Sequence, residues 1–279
     1  MHDIVIKGTV VTTSSVIENA WVAIDKSKIS RLGQGPEPEA REVYDYGSDL
    51  ILPGGIDAQV HSRSQKGQED FIWTTRAAAA GGITTIADMP YDGDFLVCTA
   101  SRLKQKAAEA SSQARVDFAL WGTIAPEDGP LHIAQMAEAG ACGFKFSTFG
   151  TDPKRFPRIP ADLLARCFEA VAHTGLIAGV HNEDDEMVRA RLAQVVEAGI
   201  TDWRAHGLSR PMLTETLAMA QIYETAAATG CSAHVVHCSV ARGYALCASY
   251  RQQGFDTTAE ACIHYLVLDE ENDVARLGG

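Results

Sequence analysis

A chain of 279 residues with 46% hydrophobic content is long enough to bury one sizeable core, with room for a small second unit. Its net charge of −12 argues against a nucleic-acid or anionic-membrane partner, because such surfaces are held by Lys and Arg patches that the sequence lacks. The seven cysteines are scattered and never spaced as C-x-x-C, MHDIVIKGTVV lacks the form of a leader, and no apolar run could cross a bilayer, so a reduced, cytoplasmic protein is the expectation.

Residues 2 to about 50 alternate as strands do, with apolar runs at Ile4–Ile6, Val10–Val11, Ala20–Ile24 and Ile29–Leu32 between turns at Gly8, Asp25, Lys26 and Gly33. We read residues 1–50 as a small β unit and 51–279 as the main domain. From Leu50 onward, short β-branched runs alternate with longer alanine-rich amphipathic segments, which is βα repetition on a parallel sheet. Strands are expected near 51–58, 83–88, 115–121, 141–146, 176–181, 233–238 and 256–260. Helices are expected near 69–80, 97–113, 129–139, 160–174, 184–198, 211–229 and 241–252. Seven such pairs suggest a (β/α)8 TIM-type barrel that stops before its eighth strand; a doubly wound nucleotide-binding sheet is disfavoured by the lack of G-x-G-x-x-G after the first strand. A barrel left open exposes two strand edges, so the chain is expected either to associate, as a homo-oligomer, or to be partly unfolded.

The first barrel strand ends in LPGGIDAQVHSR, Leu52 to Arg63, where Asp57, Gln59 and His61 follow at a spacing of two and share a face of an extended chain. Two donors on one face of a strand tip can grip a metal ion, and Arg63, next on that face, can meet an anion. Lys145 on the fourth strand, His181 on the fifth and His237 on the sixth are also strand-tip residues, and strand tips are where barrel enzymes assemble their sites. His234 stands three residues before His237, so alternation turns it to the opposite face with a structural role. His173 on a helix and His132 near a helix start read as surface or packing residues, and Cys238 as a small core residue.

LPGGIDAQVH resembles the LPG-x-ID-x-H-x-H signature of the cyclic amidohydrolases: dihydroorotase, hydantoinase and allantoinase. GFKFST at Lys145, GVHNED at His181, HVVHCS at His237, HGLSRPMLTE from His206 and TTAEACIHYL from Thr257 follow in the family's order. The resemblance implies a metal-dependent hydrolase of a small cyclic amide, ureide or imide, with a β-sandwich beside the barrel. It implies zinc or a similar ion, one or two, bridged by a carbamylated Lys145: His181 and His237 complete one ion's ligands, His61 and Gln59 serve the other. Gln59 departs from the pattern by offering an amide in place of imidazole, and the aspartate expected from an eighth strand, both ligand and acid–base group, is absent, so this chain alone is expected to be a poor enzyme. The carbamate is chemically reasonable, since a sheltered lysine beside cations favours its neutral, CO2-capturing form.

His61 and Arg63 resemble dihydroorotase, where such an arginine pairs with the substrate carboxylate, yet SQKGQEDF lacks that group's proline-glycine. The hydantoinase tyrosine is missing from FSTFG at Phe146–Gly150, while GGITTIADMP at Gly81–Pro90 is nearest the allantoinase and L-hydantoinase side. His264 belongs to the HYL segment and is not assigned as a ligand. The alternative reading is a non-catalytic relative, like the dihydropyrimidinase-like structural proteins, acting in assembly or interaction.

Overall fold

The computed structural model describes residues 1–277 apart from 65, 66, 68, 69 and 94. The expected start of the first helix at residue 69, and half of the SQKGQEDF stretch, lie outside the described residues. Two compact units meet in sequence at the Gly55/Ile56 boundary.

The first unit is a mixed four-stranded sheet of β1 (His2–Val11), β2 (Val16–Asp25), β3 (Lys28–Gln34) and β4 (Ala40–Ile51), in the order β3-β2-β1-β4. β1 pairs antiparallel with β2 and parallel with β4. Lys26 and Ser27 both take positive φ (50° and 63°), the twist-matched geometry of a two-residue hairpin turn between β2 and β3. Alternation sends Val5, Trp21 and Ala23 into one cluster and Val10, Ala20 and Val22 into another. β4 is absent from the sequence expectation. Ten of its twelve residues are exposed, so AREVYDYGSDLI carries no buried stripe from which a period of two could be read.

The second unit holds seven strands: β5 (Gly55–Val60), β6 (Ile83–Asp88), β7 (Asp117–Gly122), β8 (Gly143–Ser147), β9 (Ile177–His181), β10 (Ser232–Val235) and β11 (Thr257–Ala259). Their order in the sheet is chain order, without the reversal that defines a doubly wound sheet; these are strands of a (β/α)8-type barrel. The helices are α1 (Phe71–Ala80), α2 (Ala100–Gln113), α3 (Ile133–Glu138), α4 (Ala161–Thr174), α5 (Asp185–Glu197), α6 (Arg204–Ser209), α7 (Met212–Thr229) and α8 (Ala241–Gln252). Residues Gly129–His132 of the expected third helix form a 3-10 turn, with Pro130 in its first turn, where a missing N–H costs no intrahelical bond. α6 lies in a stretch left as a loop.

The two sheet faces carry different chemistry. Leu120, Phe144, Phe146, Ala178, Val180, Ala233 and Val235 point to the helices and form most of the sheet's share of the main core. The opposite face holds a smaller cluster of Met89, Trp121 and Val236, and above it the polar residues of the strand tips. Trp121 fills this face only because two neighbours lack side chains: a Cβ at Gly143 would lie 2.6 Å from the indole and one at Gly179 3.1 Å from it.

Candidate metal site

Lys145 sits on β8 in register with Gly179 of β9, and Ser147, two residues on, pairs with His181. Parallel register puts Lys145 and His181 on the Trp121 face, one layer above the indole. The Lys145 carbonyl accepts hydrogen bonds from Thr123 Oγ1 at 2.7 Å and Tyr91 Oη at 3.1 Å, which fixes the backbone from which the amine projects. Lys145 is 1% exposed; its Nζ donates to Phe146 O at 3.2 Å and lies 5.5 Å and 5.9 Å from the centres of the Phe156 and Tyr91 rings. Burial lowers its pKa to about 7, against a smaller upward pull from Glu260. An amine at that value is substantially neutral near physiological pH.

His181 and His237 meet directly, Nδ1 of the first 3.0 Å from Nε2 of the second. His181 Nε2 lies 2.7 Å from Glu183 Oε2, and Arg210 Nε donates to the other Glu183 oxygen at 2.6 Å. A proton on His181 Nε2 directed at Glu183 leaves the Nδ1 lone pair facing His237, the orientation that a second carboxylate contact gives metal-ligating imidazoles. Burial is the main cause that lowers both histidine pKa values, that of His237 to about 2, with Lys145 adding repulsion to each. The His237 backbone takes φ 42°, a region costing a β-carbon residue of order 1–3 kcal/mol, typical of side chains aimed by a site.

That φ overturns one expectation. β10 ends at Val235, so alternation does not run on to His237; His234, in register with Gly179, faces the same side as Lys145. It does carry a structural role: Nδ1 lies 2.8 Å from Thr258 Oγ1 and Nε2 3.2 Å from Glu260 Oε2. The other oxygen of Glu260 is buried without a hydrogen-bond partner.

The β5 end is less closed. Asp57 is exposed, Gln59 half-buried, and His61 stands just beyond the strand, its Nδ1 2.5 Å from Ser64 Oγ. His61 is an exposed residue whose imidazole nonetheless packs near protein atoms; that packing, then the charge of Lys145, lowers its pKa to about 4. Lys145 thus bears electrostatically on His61, His181 and His237, and the four stand around one region. Arg63 does not join them. Its guanidinium donates to Asp70 Oδ1 at 2.7 Å and to Glu109, and stacks 5.1 Å from the Phe71 ring centre. The expected pairing with a substrate carboxylate is therefore not carried forward: those carboxylates already neutralise this arginine.

A cavity of about 520 Å3 opens beside His181 and His237, lined among others by Asn182, Glu183, Arg210, Glu215, Ser239 and Tyr265. Tyr265 was missed because His264, not its neighbour, drew the eye in the HYL segment. Glu183 was missed as a partner of His181 although GVHNED contains it two residues on.

Do these residues suit a metal? Among the described residues no three His, Cys, Asp or Glu side chains are grouped to hold an ion. His181 and His237 supply two converging nitrogens, and a third donor must come from the buried lysine. An ammonium cannot ligate, but its depressed pKa favours the amine, and an amine takes up CO2 to become an anionic oxygen donor. The donor set fits a divalent ion on that condition.

The amidohydrolase family matches residues 50–266 of the chain. An allantoinase of Bacillus velezensis is 35% identical over 276 residues, 97% of this chain and 60% of its own length. An L-hydantoinase of Paenarthrobacter aurescens is 28% identical over all of this chain. Among solved structures, the L-hydantoinase (dihydropyrimidinase) from Arthrobacter aurescens superposes on the whole chain with a TM-score of 0.93 at 28% identity, and a D-hydantoinase on 95% of it with 0.81 at 27%. The chain belongs to the amidohydrolase family, and its fold is that of the hydantoinases. It spans about 60% of the length of the curated relatives it matches.

Proposed function

We propose that this chain carries the larger part of the active site of a hydrolase opening a C–N bond in a cyclic ureide of the allantoin or hydantoin type. The carrying observation is the convergence of His181, His237 and the buried, neutral-leaning Lys145 at neighbouring strand tips, in a chain whose relatives include proteins named allantoinase and L-hydantoinase. Of the one or two ions that the pattern anticipates, the first would be held by His181, His237 and Lys145 in its carbamylated form, and a second would fall to His61 and Gln59 with the same lysine. Imidazole with carboxylate-like oxygen suits zinc. When bound, such an ion supplies Lewis-acid polarisation of an amide carbonyl and lowers the pKa of water.

The remaining work falls to the chain's own residues. Glu183 holds the His181 ring and is itself held by Arg210, while Glu215, the cavity's other carboxylate, accepts hydrogen bonds from Asn182 and Ser239. A ring entering here meets hydrogen-bonding groups and, among the described lining residues, no unpaired Arg or Lys, which favours an uncharged ureide over a carboxylated ring. We assign the protein to the cytoplasm, and as a homo-oligomer, on the same reading; among the described residues no helix is long and apolar enough to cross a membrane. The test is to assay the purified protein, supplied with zinc and bicarbonate, on allantoin, hydantoin and dihydroorotate while measuring bound metal. Zinc binding is expected, with slow ring opening of a neutral ureide, in keeping with a chain expected to be a poor enzyme alone. Absence of bound zinc, or turnover of dihydroorotate alone, would sink the reading.

A further inference from the structure

The most heavily buried charges of the chain lie outside the site just described. Lys106 of α2 is fully buried, and its Nζ reaches Asp88 Oδ2 at 2.7 Å, Asp92 Oδ1 at 2.5 Å and the Met89 carbonyl at 2.8 Å. Asp88 and Asp92 are 0% and 3% exposed. Two aspartates and one lysine out of water are a costly arrangement, and hydrophobic packing would fill the same space more cheaply. What this triad touches explains its place.

Asp88, the last residue of β6, accepts a hydrogen bond at its Oδ1 from the backbone N–H of Ser62 at 2.8 Å. Ser62 is 1% exposed and directly follows His61. Backbone bonds run the same way: Met89 N to Val60 O at 2.8 Å and Gly93 N to Arg63 O at 2.6 Å. The β5 strand ends at Val60, so Ser62 and Arg63 would otherwise be free loop. The segment from Val60 to Arg63, with His61 inside it, is thus clasped to Asp88–Gly93, and Lys106 ties that second segment together through hydrogen bonds to Met89 O and Asp92 Oδ1 and an ion pair with Asp88 Oδ2, an oxygen that has no hydrogen-bond partner. Ser62 Oγ and Asp92 Oδ2 remain buried without hydrogen-bond partners, so the triad is not arranged for its own best satisfaction.

We propose that Lys106, Asp88 and Asp92 form a buried clamp that positions the His61 segment, so that a lysine on α2 sets the geometry of one end of the site. The proposal takes from the functional reading only that His61 is a ligand. Lys106, Asp88 and Asp92 touch neither substrate nor ion and are positioning residues.

The experiment compares Lys106→Met with Val171→Ala, a cavity variant on α4 that destabilises the chain away from the strand tips. Hydrogen-exchange mass spectrometry reads residues 55–64 of the metal-free proteins, and chelator competition reads zinc affinity. In Lys106→Met, exchange across 55–64 should rise about tenfold beyond the control, while residues 177–181 exchange as the control does; zinc should bind about tenfold more weakly than to the control. Equal exchange in the two variants, or a rise spread evenly over the chain, would overturn the clamp and leave the triad as core packing. If the unaltered protein binds no zinc, the ligand reading of His61 falls, and the exchange comparison still decides the clamp. Should Lys106→Met fail to fold, Asp92→Asn keeps the shape and one acceptor; the same local rise, about threefold, is then required.

Discussion

The two ends of the site differ in how they are held. At β8 to β10 the functional side chains are buried and meet each other: His181 against His237 at 3.0 Å, Glu183 behind His181, Lys145 beneath aromatic rings. At β5, Gln59 and His61 are partly open, and order is imposed from below through backbone bonds to the β6 tip. One end is pre-organised by side-chain contact, the other by its support. The first should lose function when a ligand is removed; the second should also respond to residues that never touch the ion.

The sharpest break in that contrast comes from Lys145→Ala. It should reduce zinc content by at least tenfold and ring-opening activity by about 100-fold or more if, as proposed, this lysine is the donor shared by both ends. Metal analysis by mass spectrometry checks this, and retention of full zinc would end the bridging role. Glu183→Gln comes next. It keeps the shape but weakens the hold on His181 Nε2, and about a 10- to 100-fold loss of metal affinity is expected.

The same burial makes a pH signature of the metal-free protein. Burial brings Lys145 to about 7 when folded, against 10.5 for a solvated lysine, so between those values the unfolded chain binds more protons and stability rises with pH. His61, at about 4 against 6.5, acts in the same sense, its contribution being lost as pH falls from 6.5 toward 4. Melting temperature after chelation should therefore climb through both windows. Lys145→Met should flatten the alkaline limb and, by removing a charge that repels protonated His61, make the acid one shallower without abolishing it; an unchanged alkaline limb would mean that the lysine is solvated.

How much of this could be read from the sequence depended on which residues carry periodic signals. Strands β6 to β10 showed themselves as short apolar runs because their outer faces are buried against helices, and the tip residues followed from where those runs end. β4 stayed hidden since almost nothing on it is buried. His234 was turned the wrong way because strict alternation was carried past the end of β10 into a residue with positive φ, a change of hand that no side-chain pattern announces for histidine. The Lys106 triad was equally silent. A lysine in ASRLKQKAAEASSQ reads as a solvated face, and only the fold brings Asp88 and Asp92 over it.

At the β5 end, Gln59→His offers an imidazole where the amide now stands. It should tighten zinc by about tenfold if Gln59 faces the ion, and titration with a competing chelator would detect that shift. No tightening would place Gln59 outside the ligand set and leave His61 as the sole protein donor from β5.

The smallest expected effect on turnover comes from the residue that looked most like a substrate anchor. Arg63 has Asp70 on one side, Glu109 on another and the Phe71 ring against its face, so no open donor fork is left for a ligand carboxylate. Its side chain is 18% exposed while the two carboxylates are 42% and 38% exposed, so solvent screening limits what the pairs contribute. Arg63→Gln should then cost about 1–2 kcal/mol of stability, through lost packing on Phe71 and weakened support of the Asp70 cap at the start of α1. Both KM and kcat for a neutral ureide should stay within about twofold. Steady-state kinetics alongside thermal unfolding separate the outcomes: a rise in KM of tenfold or more with unchanged melting would return Arg63 to the substrate and show that Asp70 and Glu109 release it on binding.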